Sequence, residues 1–308
     1  MFTGLSAFPL TPITDDGIDE KAFTALVGRL AAAGVDSIGA LGSTGSYAYL
    51  TREERARAAR LAVEHAERTP VIVGIGALRT RHVLEAAEDA QNAGAAGVLL
   101  APMSYQRLTE DDVFGLFKDV TANLSVPVVV YDNPGTTHFT FTDELYARVA
   151  ELPHVASIKI PGVPADPEAA HARVRQLRQI LPETVTVGVS GDAFAATGLN
   201  AGCDAWYSVI AGTFPGPALA ITRAAQAGEP DRAHAESQRL QPLWDLFAQH
   251  GSLRVIAAAA AQLGLTAPDN LPLPLRGLTA EDRAHVADVL RQLELHTSNA
   301  GAGQYWTD

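Results

Sequence analysis

Residues 92–103 read N-A-G-A-A-G-V-L-L-A-P-M, and the reading of that dozen decides the fold class. Gly94 stands where a helix has to stop, because glycine reaches positive φ without a Cβ clash and so closes a helix C-terminus. The run Gly97–Ala101 then follows without a polar break. A strand wetted on one face alternates apolar with polar residues, whereas one covered on both faces stays apolar throughout, as strands in parallel sheets do. The segment therefore reads as helix end, turn and buried parallel strand. The same plan recurs at 31–43, A-A-A-G-V-D-S-I-G-A-L-G-S, and at 200–211, N-A-G-C-D-A-W-Y-S-V-I-A. The recurrence is uneven, which marks a shared βα plan and not a solenoid.

Working outward, the expected strands are Leu5–Leu10, Ser37–Leu41, Val71–Ala77, Gly97–Ala101, Pro127–Tyr131, Val155–Ile160, Val185–Val189 and Ala205–Ile210. Amphipathic stretches separate them, among them Arg52–Glu67, Arg81–Ala93, Glu110–Ala122 and Pro167–Ile180. Thr51, Thr109 and Thr142 each precede an acidic first turn, as helix N-caps do. Eight strands alternating with helices predict an α/β fold, a (β/α)8 TIM barrel, with a doubly wound open sheet as the alternative. From Phe214 to about Gln292 only helical segments follow, more than one crossover needs. The expected division is a barrel over 1–224, a C-terminal helical extension over 225–296 and a tail over 297–308.

Composition narrows the function. Of the 308 residues 47% are hydrophobic and only 19% charged, ample for a large core. A net charge of −12 argues against nucleic acid or an anionic membrane as partner. Cys203 is the only cysteine, so neither an intrachain disulfide nor a cysteine-rich metal site is available. The N-terminus M-F-T-G-L-S-A-F-P-L-T-P has neither a basic leader nor a long apolar run, and the expected compartment is the cytoplasm.

Barrel enzymes carry their chemistry at the carboxyl ends of the strands. That rule selects Gly42–Gly45 (G-S-T-G), Pro102–Tyr105, Tyr131–Pro134 (Y-D-N-P), Lys159 and Ser190-Gly191-Asp192. The chain has three lysines, Lys21, Lys118 and Lys159. The first two fall on amphipathic helices, but Lys159 ends the run V-A-S-I. A desolvated lysine there has a lowered pKa and attacks carbonyls, which arginine cannot do; the alternative is a structural ion pair at the barrel rim. Two hydroxyls between glycines, Ser43 and Thr44 before Gly45, suit a carboxylate or phosphate, or form a plain turn. Tyr131 can pass protons to a substrate or pack at the rim. Asp192 is expected to cap the helix beginning at Ala193. The nine histidines show no metal-ligand spacing, so no metal is expected, and His138 alone falls near the active face.

Taken in order, G-S-T-G, Y-D-N-P and S-I-K within an eightfold βα pattern resemble the dihydrodipicolinate synthase and N-acetylneuraminate lyase family of class I aldolases. The resemblance spans nearly the whole chain. It implies a TIM barrel with C-terminal helices, a homotetramer built from tight dimers (or a homodimer), and a 2-keto acid such as pyruvate as substrate. No cofactor is implied beyond the covalent Schiff base. By this resemblance Lys159 forms the imine, Tyr131 shuttles protons, and Ser43 joins the relay. Ser43, Thr44 and the backbone at Gly45 hold the keto-acid carboxylate. Ser190 and Gly191 line the acceptor side, and the Tyr207 backbone carbonyl faces the lysine. Three positions depart from the family pattern. Ser46 stands where glutamate is usual, and Thr136 where the synthases carry an acceptor-binding arginine. Met103-Ser104-Tyr105 replaces their paired tyrosines. Thr136, His138 and Tyr105 are thus the expected acceptor side, and an acceptor other than aspartate semialdehyde is favoured. A true 4-hydroxy-tetrahydrodipicolinate synthase and a non-catalytic keto-acid-binding relative are the alternatives.

Overall fold

A computed structural model of the chain describes residues 2–14 and 17–295. Apart from a short antiparallel pair, Ile13–Thr14 with Gly17–Ile18, its strands form one ring: β1 (Gly4–Ala7), β2 (Ser37–Ala40), β3 (Val71–Gly74), β4 (Gly97–Leu100), β5 (Val128–Tyr131), β6 (Val155–Ile160), β7 (Thr186–Val189) and β8 (Ala205–Ser208). Every neighbouring pair is parallel, and β1 pairs with both β2 and β8, so the ring closes. Closure excludes the open-sheet alternative. The chain is a (β/α)8 barrel.

Residue alternation divides the core in two. Inward side chains, among them Phe8, Ile72, Leu99, Val129, Tyr131 and Tyr207, form a small cluster inside the ring. Outward ones such as Val128, Val130, Ile158 and Ile160 belong to the much larger layer between strands and helices. Both faces of each strand are buried, which is why the sequence runs lack polar alternation.

The surrounding helices are α1 (Glu20–Ala33), α2 (Arg52–His65), α3 (Thr80–Asn92), α4 (Glu110–Thr121), α5 (Asp143–Ala150), α6 (Pro167–Ile180), α7 (Ala195–Asn200) and α8 (Pro215–Gln226). Thr51, Thr109 and Thr142 cap α2, α4 and α5 through their hydroxyls, each worth about 1 kcal/mol. Gly34, Gly94 and Gly202 all take positive φ at the helix ends. In two of the three repeats an aspartate follows, and it does the same work in both. Asp36 accepts the Leu5 N–H and Asp204 the Val187 N–H, each at 2.7 Å, tying the start of one strand to its neighbour.

Several strands end earlier than the sequence predicts. Residues through Leu10, Leu41, Ala77 and Ile210 stay buried or half-buried but lie past the last paired position. They are apolar because they stay packed in the large core outside the ring, not because they extend the sheet. Leu41 turns out of β2 at φ 57°, and its carbonyl presses on Gly74, where a Cβ would lie only 1.8 Å away. Beyond the barrel come α9 (Pro230–Arg239), α10 (Gln241–His250), α11 (Ser252–Gln262) and α12 (Ala280–Gln292), with α10 packed on the Asp192–Phe194 turn at the mouth. The division expected at 224/225 falls within the last turn of α8, and the tail expected over 297–308 lies outside the described residues. No helix among the described residues is long and apolar enough to cross a membrane.

Candidate active site

Lys159 and Tyr131 are register partners on β6 and β5, both pointing inward at the carboxyl end of the ring. Lys159 is 4% exposed. Its Nζ sits 4.1 Å from the ring centroid of Phe8, 4.0 Å from that of Tyr131 and 5.7 Å from that of Tyr207. Among the described residues no carboxylate lies within ion-pairing distance of the amine, which removes the rim ion pair as its role. Burial lowers the amine to about 7, with the Asp192 carboxylate pulling the other way. The aromatic faces favour a cation by about 0.5–2 kcal/mol each, less than the desolvation they impose together. At neutral pH roughly half the amines are then uncharged, against about three in ten thousand for an ordinary lysine.

Phe8 forms the floor of this chamber. It follows β1 and fits only because the facing positions are glycine: a Cβ on Gly39 would come within 2.4 Å of its ring, and one on Gly42 within 2.6 Å. The first glycine of G-S-T-G therefore admits an aromatic ring. After it, Ser43 presents its hydroxyl 3.3 Å from the Tyr131 Oη. Thr44 is buried, and Gly45 packs on the Leu41 backbone, leaving 3.0 Å to an added Cβ. Ser46 takes φ 53° and starts a 3-10 turn at Tyr47–Tyr49, so the loop reaches α2 only at Arg52. Burial raises the Tyr131 phenol to about 12, while hydrogen bonds from Ser43 and Asn133 act against that rise. Asn133 Nδ2 donates to Tyr131 Oη at 2.8 Å and to Ser43 Oγ at 3.4 Å.

On the opposite wall Ser190 donates its hydroxyl hydrogen to the Ile160 carbonyl at 2.7 Å, and Gly191 follows at φ 80°. Phe194 lies over Gly162 and Gly191, half-exposed at the mouth. Asp192 does not cap its own turn. Its carboxylate accepts from Trp206 Nε1 at 3.0 Å, Val209 N at 3.1 Å and Ile210 N at 2.7 Å, holding the chain after β8 instead. Those three donors outweigh one weak local cap, so the expectation from sequence is corrected. Tyr207 is buried beneath the lysine, its Oη 2.7 Å from Ser157 Oγ. Asp132 lies behind the site. Its N–H donates to the Lys159 carbonyl at 3.1 Å, its Oδ2 accepts from Tyr146 Oη at 2.5 Å, and burial raises its carboxyl to about 6.

The structure thus gathers Lys159, Tyr131, Ser43 and Tyr207 in one chamber, with Thr44, Gly45, Ser190 and Gly191 on the loops around it. The rim residues are arranged differently. Tyr105, 91% exposed, and His138 line a hollow of about 290 Å³ with Ser104, Gln106, Arg107, Leu108, Thr137 and Phe139, a wall that includes neither Lys159 nor Tyr131. Thr136 turns back to its own loop, donating to the Asn133 carbonyl at 3.3 Å. Two members of the site escape the sequence reading, Phe8 and Asn133. Asn133 stands inside the quoted Y-D-N-P, two residues past Tyr131, and its polarity beyond an apolar strand end is the available signal.

The comparisons with known proteins agree with one another. The model of the dihydrodipicolinate synthetase family matches residues 1–293. The chain is 32% identical to the 4-hydroxy-tetrahydrodipicolinate synthase of Hyphomonas neptunium, over 95% of this chain and 99% of that one. It is 30% identical to the enzyme of the same name from Nitrosomonas eutropha, covering 95% and 98%. A solved dihydrodipicolinate synthase from Agrobacterium tumefaciens matches with TM-score 0.91 and 46% identity, covering 95% of this chain and 98% of that chain. The chloride-inhibited dihydrodipicolinate synthase of Acinetobacter baumannii, solved with pyruvate, matches with TM-score 0.87 and 25% identity over 96% and 99%.

Proposed function

We propose that this chain, which belongs to the dihydrodipicolinate synthetase family and is a class I aldolase of that family, a carbon–carbon lyase, condenses Lys159 Nζ with the keto carbon of pyruvate or a related 2-keto acid. One observation carries the reading: Lys159, alone among the described lysines, lies inside the ring, buried against aromatic faces and with no ion pair among the described residues, and that burial lowers its amine to about 7. In this reading Tyr131 donates and recovers protons. Ser43 and Thr44, with the backbone around Gly45, hold the carboxylate beside it. Ser190, Gly191 and the Tyr207 backbone carbonyl line the rest of the pocket. The protonated imine draws electrons from the adjacent carbon, so that C–H or C–C bonds there break to an enamine. The imine itself serves as electron sink, so the proposed chemistry calls for neither a metal nor an organic cofactor.

For the acceptor we favour an aldehyde other than aspartate semialdehyde, on the exposed Thr136 that stands where an arginine would grip a second carboxylate. That loss removes about 1.5–3 kcal/mol of charge-assisted binding. The second reading, a true 4-hydroxy-tetrahydrodipicolinate synthase, draws on the names of the two curated relatives. Complementation of a diaminopimelate auxotroph separates the two. For assembly we propose a homotetramer or homodimer, supported by Tyr49, Leu78 and Tyr105, large apolar side chains 49%, 63% and 91% exposed on the loops after β2, β3 and β4. For compartment we propose the cytoplasm, in keeping with a single buried, unpaired cysteine, Cys203.

The experiment is to incubate the protein with pyruvate, reduce with borohydride and weigh the peptides. A reduced pyruvyl adduct on Lys159 is the expected result. An unmodified Lys159 peptide overturns the proposal.

A further inference from the structure

We infer that Asn133 is a positioning residue of the proton shuttle: its side-chain amide fills the acceptor sites of Tyr131 and Ser43 so that the Tyr131 hydrogen faces the lysine. The inference rests on the imine chemistry proposed above. Three distances define the cluster: Asn133 Nδ2 to Tyr131 Oη 2.8 Å, Asn133 Nδ2 to Ser43 Oγ 3.4 Å, and Ser43 Oγ to Tyr131 Oη 3.3 Å. An amide nitrogen carries two hydrogens and accepts none, so both contacts run outward from Asn133. A phenol has one hydrogen and two lone pairs. With Asn133 on one lone pair and the Ser43 hydroxyl on the other, the Tyr131 O–H is the only hydrogen of the triangle left undirected. The Tyr131 ring centroid lies 4.0 Å from Lys159 Nζ, which puts the amine in the chamber beside the phenol.

The backbone supports the same assignment. Asn133 precedes the one-turn helix Pro134–Thr137, where an asparagine side chain ordinarily accepts from the turn's N–H groups, yet here it makes no such bond. Its carbonyl is instead held by Thr136 N at 3.0 Å, Thr137 N at 2.9 Å, Thr136 Oγ1 at 3.3 Å and Thr137 Oγ1 at 3.0 Å. The main chain is pinned from one side and the amide turned to the other, toward the two hydroxyls.

In the reaction, Tyr131 gives its proton to the carbinolamine hydroxyl. The hydroxyl leaves as water with its bonding pair, and the lysine nitrogen lone pair forms the C=N⁺ bond. The phenolate left behind accepts from Asn133 and Ser43. It then takes a proton from the methyl carbon; the C–H pair becomes the enamine double bond, and the iminium π pair returns to nitrogen. Tyr131 is a phenol again, and the cycle balances. Because an amide passes no protons, Asn133 stabilises the phenolate without opening an exit to solvent.

The test uses pyruvate alone and follows exchange of its methyl hydrogens with D2O by NMR, alongside borohydride trapping. Asn133→Leu should slow exchange at saturating pyruvate about 10- to 100-fold, the worth of one hydrogen bond to a charged group, with the half-saturating concentration little changed. Asn133→Asp should be equally slow at pH 8 but recover toward wild type, as a ratio at matched pH, when acidification turns the carboxyl into a donor. The Leu ratio should stay flat. Equal rates in all three proteins, or an Asp ratio that does not rise on acidification, overturn the inference. If the wild-type protein itself neither traps nor exchanges pyruvate, it is the proposed function that falls.

Discussion

Lys159→Met removes a buried amine and keeps most of its volume, and its effect on stability should depend on pH in one direction only. The folded protein releases the Lys159 proton near 7, while an unfolded chain holds it to about 10.5. Below pH 7 both states are protonated, and the native state bears the full cost of a dry cation. Between 7 and 10.5 only the unfolded chain binds the proton, so wild-type stability rises with pH; above that window both are neutral and the cost is gone. The methionine variant carries no such linkage. Its stability advantage should therefore shrink by about 3 kcal/mol between pH 6.5 and 9.5, from the linkage relation applied to those two values. Guanidinium titrations of both proteins at matched protein concentration read this directly. A gap that changes by less than about 1 kcal/mol over the range refutes the claim that burial lowers the pKa of this amine to near 7.

Other outcomes follow from the same geometry. Tyr131→Phe should slow pyruvate methyl exchange about 10²- to 10⁴-fold, the usual worth of a placed acid–base group, with binding largely kept; less than a tenfold loss by NMR would remove it from the shuttle. The rate of imine trapping should rise about tenfold per pH unit below 7 and level off above it, following the free amine. A trapping rate that climbs unbroken to pH 10 contradicts this. Gly74→Ala drives a Cβ to 1.8 Å from the Leu41 carbonyl, backbone against side chain, and should cost more than about 4 kcal/mol in denaturant titration; a change under 1 kcal/mol would show that the loop after β2 yields freely.

How much of this the sequence carries depends on whether neighbours in the chain or in space decide. Val155–Ile160 and Pro167–Ile180 are legible to the residue, because an apolar run buried on both faces and a helix opened by Asp166 are local signals. The threonine caps are legible for the same reason. The alternation within β6 is partly hidden. Ser157 and Lys159 face the inside and Ile158 and Ile160 the helices, yet a single serine among apolar residues is too little polarity to reveal which face is which before the lysine. Strand ends are overread, since Leu41 and Ile75 remain buried after leaving the sheet. What the sequence hides most is partnership across the ring. That Gly42 makes room for Phe8, that Asp192 serves the turn after β8, and that Asn133 meets Ser43 all depend on contacts 17 to 90 residues apart.

The ionisation of one amine decides the account, and the chain's three lysines make it observable. Protein labelled with ¹³C at the lysine ε-carbons and titrated by NMR should give a signal that is lost in Lys159→Met and shifts with a midpoint near 7. If that signal instead titrates above about 9, the chamber is wet, the amine is charged at neutral pH, and the chemistry built on it has no nucleophile.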